Sequence, residues 1–154
     1  MATIVAKLFN ITGPHVAVFG QKDAQQVAVV RQMLRDLNFG IELVVCPTVR
    51  EADGLAMSSR NSYLSSEQRL QASVLYKSLM LGRSLIIHGE RNAATVIKEM
   101  KEMLLTAPLA VVDYVSIADQ ETMEELGQCR GNILVSLAVC FGTTRLIDNM
   151  TLST

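Results

Sequence analysis

The sequence predicts an α/β chain in two parts: the end of a parallel sheet with its crossover helix, then a small α+β domain. Three observations carry that expectation. Two apolar runs, residues 15–19 and 41–45, flank one helix-periodic segment, an order that gives parallel strands and a right-handed crossover. Two further helical segments follow between residues 66 and 108. From Val111 onward the period changes to that of strands separated by turn residues. The expected organisation is residues 1–46 as the sheet-bearing part, 47–65 as a loop and hinge, and 66–154 as the second domain.

Taken in order, residues 2–12 place Ile4, Val5, Leu8 and Phe9 on one helical stripe, ended by Gly13-Pro14. His15 to Phe19 is a short apolar strand closed by Gly20. Asp23 stands where it can cap the next helix, with Gln26 three residues on as a capping box requires. Val27, Val30, Leu34 and Leu37 then line that helix's inner face, and Asn38-Phe39-Gly40 ends it. Ile41 to Val45 reads as a buried strand, stopped by Pro47, which has no N–H for the ladder. Ser65 to Gln68 forms a second capping box opening one long helix to about Ile87, with Leu75, Leu79 and Ile86 buried. Asn92 caps a third helix carrying Val96, Ile97, Met100 and Leu104, which ends by Pro108. Strands are expected at 111–118, 132–141 and 143–148, with Gly142 as a bulge or a turn.

Composition narrows the function classes. The 154 residues carry a net charge of −1, and the pI is near 6.1, so no basic surface argues for nucleic acid. No apolar run has the length of a membrane span and no secretory leader is visible, which reads as a cytoplasmic protein. Three cysteines, Cys46, Cys129 and Cys140, are odd in number and without metal-ligand spacing, so free buried thiols and no metal site are expected. The eight methionines read as core filler.

Two stretches could carry chemistry. Gly20-Gln21-Lys22-Asp23 lies where a parallel strand runs into a helix N-terminus, a place where backbone N–H groups attract anions. Lys22 adds a positive charge and Asp23 an acceptor for ribose hydroxyls; a tight turn with an N-cap is the plainer account of the same residues. Gln26, one turn on, offers a donor and an acceptor to a hydroxy acid, or else serves the capping box. Met57-Ser58-Ser59-Arg60 presents hydroxyls and a guanidinium fork on a glycine-hinged loop, groups that clamp phosphate oxygens, though an exposed polar loop would look the same. The lone His15 and His88 sit at element ends, and the acidic run 121–125 reads as a solvated face.

Val18 to Gln26 together with Pro47-Thr48-Val49-Arg50-Glu51-Ala52-Asp53-Gly54-Leu55-Ala56-Met57-Ser58-Ser59-Arg60-Asn61-Ser62-Tyr63-Leu64-Ser65 closely resemble the pantoate–β-alanine ligases. The likeness continues through Asp113-Tyr114-Val115 and the last strands. It implies a Rossmann-like sheet of the class I nucleotidyl transferase type, and condensation of pantoate with β-alanine using ATP and Mg²⁺. The implied route has two steps: the pantoate carboxylate attacks the α-phosphorus to give pantoyl adenylate and pyrophosphate, then the β-alanine amine displaces AMP. By that resemblance Gly20, Gln21, Lys22 and Asp23 would contact ATP, Gln26 would hold pantoate, and Val49 would meet the adenine side. Met57, Ser58, Ser59 and Arg60 would form a mobile phosphate loop like the lysine-serine loop of class I aminoacyl-tRNA synthetases.

Two departures stand out. Ala24 stands where relatives often carry an aromatic residue, which opens one wall of the pocket. The family's His-x-Gly-His motif and a further substrate-binding glutamine, both from its first half, have no counterpart here. The sequence therefore looks like a C-terminal portion, expected to be inactive alone. A non-catalytic folding or oligomerisation module is the alternative. Strands 16–19 and 41–45, apolar throughout, suit a sheet covered on both faces; without the family's first half at least one edge and part of a face are expected to lack partners, so self-association is expected, a dimer being favoured, through exchange of the first elements.

Overall fold

The computed structural model describes residues 1–154, which form two compact units, Met1–Thr48 and Val49–Thr154. In the first, α1 (Ala2–Thr12) leads to β1 (Val16–Gly20), a 3₁₀ turn (Gln21–Asp23), α2 (Ala24–Asp36) and β2 (Glu42–Cys46). β1 and β2 pair in parallel from Val16 opposite Glu42 to Gly20 opposite Cys46, as the strand, helix, strand order requires. One face of this pair packs through Ala17 on Val5, Phe9, Val30, Met33 and Leu34, with Phe9 edge-on to Phe39 at 6.0 Å.

The other face is open. Val16 and Val18 are 47% and 62% exposed, and no residue of β2 is fully buried. The strand expected to be buried at residues 41–45 is thus only half-buried, and part of a face stands without partners as expected, because α1 and α2 supply apolar side chains to one face only. Ile4 and Leu8 are likewise exposed, leaving Val5 and Phe9, one turn apart, as the working stripe of α1. Leu37 is exposed too, since α2 ends at Asp36 and Asn38 turns left-handed at φ 52°. Met33 takes the inner position instead. Cys46, expected to be buried, ends β2 in solvent.

The second unit is built on an antiparallel sheet, β3 (Ala110–Asp119), β4 (Asn132–Phe141) and β5 (Thr144–Ser153), in the order β3-β4-β5. Its central strand is buried almost throughout. Gly142-Thr143 close the β4–β5 hairpin as a two-residue turn with φ 59° at Gly142, the first-position demand of a type II′ turn. The long helix expected after Ser65 is two helices, α3 (Ser66–Ala72) and α4 (Val74–Ile87). Ser73 breaks it: its hydroxyl donates back to the Leu70 carbonyl at 3.4 Å, an interaction that bends helices. The Ser65–Gln68 capping box is fully formed, and Asn92 caps α5 (Ala93–Leu105) by accepting from Ala94 and Thr95. Leu75, Leu79, Ile86, Val96, Met100 and Leu104 meet Ile133, Val135, Leu137 and Phe141 in one core.

Before α3 the chain makes a tight excursion. Glu51 N–H bonds to Leu55 and Met57 N–H to Val49, so residues 49–57 form a small looped ladder. Gly54, read in the sequence as a hinge, is instead a packing position. Its φ is 91°, and a Cβ there would run into the ring of Tyr76. Gly54→Ala is therefore expected to cost about 1–3 kcal/mol by overpacking and backbone strain. Urea denaturation reads this directly; a loss below about 0.5 kcal/mol would contradict the packing role.

Candidate functional site

The first group of candidate residues sits at the C-terminal end of β1. In open parallel sheets that end is where ligands bind, because loops there open toward helix N-termini. Gly20 is extended (φ −86°, ψ 135°), and a Cβ on it would meet nothing within 4 Å. Neither the backbone nor packing demands glycine, so what its missing side chain leaves is free approach to the chain. Residues Gln21, Lys22 and Asp23 coil as a 3₁₀ turn ahead of α2. That turn moves the Asp23 carboxylate out of capping geometry, and it makes no cap hydrogen bond. The capping box expected from Asp23 and Gln26 is thus not made, which leaves the Gln26 amide without that structural duty. Gln26 is half-buried on the first turn of α2.

The second group lies in the other unit. Val49 and Met57 are exposed and joined by the Met57 N–H to Val49 carbonyl bond at 2.9 Å. Ser58 precedes a 3₁₀ helix, Ser59–Tyr63, and its hydroxyl accepts from the Arg60 N–H at 3.2 Å. Ser62 donates to the Ser59 carbonyl at 2.7 Å. These bonds order the backbone while leaving the Arg60 guanidinium without a carboxylate partner in its unit. Arg60 borders a cavity of about 530 Å³ with Tyr63, Thr143, Thr144 and Arg145.

Three charged groups that sequence reasoning passed over as loop polarity hold this segment in place. Arg69 reaches back from α3 to Glu51 and Asp53, each at 2.6 Å. The Arg69 guanidinium holds both carboxyls below their ordinary values, and for Glu51 the Asn61 amide adds to the effect. Asn61 donates to Glu51 at 2.7 Å and to the Ala56 carbonyl at 3.1 Å, so the residue beside Arg60 is tied to the ladder. Because both folded-state values lie below the unfolded ones, this anchoring is complete at neutral pH. It weakens only as pH falls through the depressed values. We expect the protection of the residue 57–63 amides, taken relative to their intrinsic exchange rates, to hold down to the ordinary carboxylate range and to fall at lower pH; protection that never falls as the carboxyls titrate would contradict the anchoring.

Arg50 forms the deepest contact. Its Nη atoms donate to Asp148 at 2.6 and 3.0 Å and to the Gly54 carbonyl at 3.0 Å, while the guanidinium lies 4.5 Å from the Tyr76 ring centroid. The Asp148 side chain is wholly buried and that of Arg50 is 20% exposed. One sequence signal pointed to it: Thr144, Leu146 and Asp148 share the inward parity of β5, and a charge on a core-facing position requires a partner. The thiols take no part. Burial pushes the Cys129 thiol up, away from the reactive thiolate.

Candidate residues thus fall into two sets, Gly20, Gln21, Lys22, Asp23 and Gln26 in the first unit, and Val49, Met57, Ser58, Ser59 and Arg60 in the second. Set beside known proteins, residues 1–151 match the family model described as pantoate-beta-alanine ligase. The pantothenate synthetase of Thermoanaerobacter sp. is 53% identical over 150 residues, and that of Caldicellulosiruptor saccharolyticus is 51% identical over 150. In both cases the match covers 97% of this chain and 53% of the relative. The crystal structure of pantothenate synthetase from Thermus thermophilus superposes with a TM-score of 0.94 at 43% identity, over 99% of this chain and 55% of that one. The Francisella tularensis pantoate-beta-alanine ligase, solved in complex with beta-gamma ATP and beta-alanine, has a TM-score of 0.64 at 29% identity, over 97% of this chain and 48% of that one. The chain spans about half the length of the curated relatives it matches. With the fold and both motif-bearing stretches inside the matched residues, the chain belongs to the pantoate–β-alanine ligase family.

Proposed function

We propose that these residues serve the ATP-dependent condensation of pantoate with β-alanine through a pantoyl adenylate. The observation that carries the proposal is the family match over residues 1–151, which includes both stretches whose chemistry suits a nucleotide. In this reading Gly20 admits the nucleotide to the end of β1, and Gln21, Lys22 and Asp23 line it, with Lys22 at phosphate and Asp23 at ribose. Val49 meets the adenine side. Gln26 orients pantoate, and Met57, Ser58, Ser59 and Arg60 close on the phosphates. Mg²⁺ arrives with ATP as part of the substrate.

The chemistry needs no protein nucleophile. The pantoate carboxylate forms a bond to the α-phosphorus as the bond to pyrophosphate breaks, and the β-alanine amine later displaces AMP from the acyl carbon. The protein's work is to hold reactants in line and to meet negative charge as it builds on phosphate oxygens. Lys22 and Arg60 are cations of the kind this requires.

A coupled assay for AMP release with pantoate, β-alanine and ATP tests the reading. The 154-residue chain carries no His-x-Gly-His motif, so we expect no turnover from it alone and turnover after the complementary half of a relative is added. Turnover by the chain alone, or none in the combined system, would refute the assignment. The open apolar face at Val16 and Val18 supports self-association, with a dimer favoured. Sedimentation at micromolar concentration should show a mass above the monomer; a clean monomer would rule this out.

A further inference from the structure

We infer that the β4–β5 turn, through Thr143 and Arg145, forms with Arg60 a binding site for a diphosphate group. This rests on the reading of Arg60 as a phosphate contact and extends it to a part of the fold that no motif marked. The cavity of about 530 Å³ is lined by two guanidinium-bearing residues, two threonines and a tyrosine, with neither a carboxylate nor an aliphatic side chain on its wall. Its size falls within the roughly 300–1,000 Å³ range of small-ligand sites. Such a lining, with two guanidinium groups and two hydroxyl-bearing threonines, suits an oxygen-rich anion.

The two cations differ in a useful way. Arg60 has no carboxylate partner in its unit and is exposed, so it can follow a ligand. Arg145 is tethered: its Nε–H donates to Asp113 at 2.8 Å, its Nη2 lies 2.8 Å from the same carboxylate oxygen, and the guanidinium carbon lies 5.9 Å from the Tyr114 ring centroid. Of the five N–H donors on a guanidinium, that hydrogen bond uses one and leaves four. A fork held in place by its own carboxylate recognises an anion at lower entropic cost than a loose one. Gly142 sets the turn that presents it, with the Thr143 hydroxyl exposed beside it. One orthophosphate would be satisfied by one fork. Two forks from separate elements fit two linked phosphates, either the β and γ groups of ATP or the pyrophosphate released on adenylation.

Calorimetric titration of the chain with inorganic pyrophosphate, ATP and AMP decides the matter. We expect Arg145→Gln to weaken pyrophosphate and ATP by about tenfold or more, the scale of a charge-assisted contact, and to leave AMP unchanged. Thr143→Val should weaken the same two ligands to a smaller extent. Asp113→Asn breaks the same surface ion pair yet keeps the cation, so it should weaken pyrophosphate clearly less than Arg145→Gln does. Equal losses in Arg145→Gln and Asp113→Asn would reduce Arg145 to a structural role and overturn the inference. No measurable pyrophosphate binding, or an equal Arg145 dependence for AMP, would overturn it as well. If Arg60→Ala abolishes binding while Arg145→Gln does not, the loop reading stands and the second wall falls. If only Arg145→Gln weakens binding, the site stands and Arg60 loses its phosphate role.

Discussion

Asp148→Ala is expected to destabilise the Val49–Thr154 unit by about 3–5 kcal/mol, the cost of stripping one partner from a buried ion pair. The Asp148 side chain is wholly buried, and its removal leaves the Arg50 guanidinium with the Gly54 carbonyl and the Tyr76 ring but no counter-charge. Arg50→Ala should cost nearly as much, because it orphans a buried carboxylate. The double variant should cost far less than the sum, since neither charge is then left alone. Urea denaturation of the three variants measures this. A loss below about 1 kcal/mol for either single change would show that the pair is replaceable by solvent. The consequence reaches function, because Arg50 ties the 49–57 ladder to β5, and that ladder leads into the loop bearing Arg60.

The second large effect concerns chemistry rather than stability. If the proposed function holds, in the chain combined with the complementary half of a relative Arg60→Ala should slow AMP release by about 10²–10³-fold, the range seen when one donor to developing charge is removed. Its thermal midpoint should stay put, because the side chain is exposed and forms no ion pair within its unit. Arg60→Lys should recover only part of the rate, since an ammonium cannot grip two oxygens as a planar fork does. Unchanged turnover in Arg60→Ala would remove this residue from the site.

The parts of the fold legible in the sequence were those set by local rules. The parallel β1–β2 pair, the Ser65 box, the Asn92 cap and the bounds of β4 all follow from short-range patterns, and the structure has them. What failed depended on neighbours. Ile4, Leu8 and Leu37 are apolar at helical spacing, yet whether such a stripe is buried depends on what packs against it. Ser73 looked like one more helical residue, and only its bond to Leu70 shows the break. Gly54 could be read as a hinge because Tyr76, against which it packs, lies 22 residues further on.

The site divides in the same manner. Lys22 and Ser58 to Arg60 announce themselves as polar groups in short loops next to element ends. The groups that hold the Ser58 to Arg60 loop do not: Arg50 meets Asp148 across 98 residues, and Arg69 meets Glu51 and Asp53 across 18 and 16. Sequence spacing carries no information about such pairs. The parity of β5 carried some, since Asp148 occupies an inward position and had to have a partner.

The central proposal is that the Ser58-Ser59-Arg60 loop before α3 grips the phosphates of ATP. Its most direct test is an experimental structure of the chain combined with the complementary half of a relative and a non-hydrolysable ATP analogue. The account predicts the Arg60 guanidinium within about 2.7–3.2 Å of phosphate oxygens. A bound triphosphate with the Arg60 guanidinium turned to bulk solvent would contradict it.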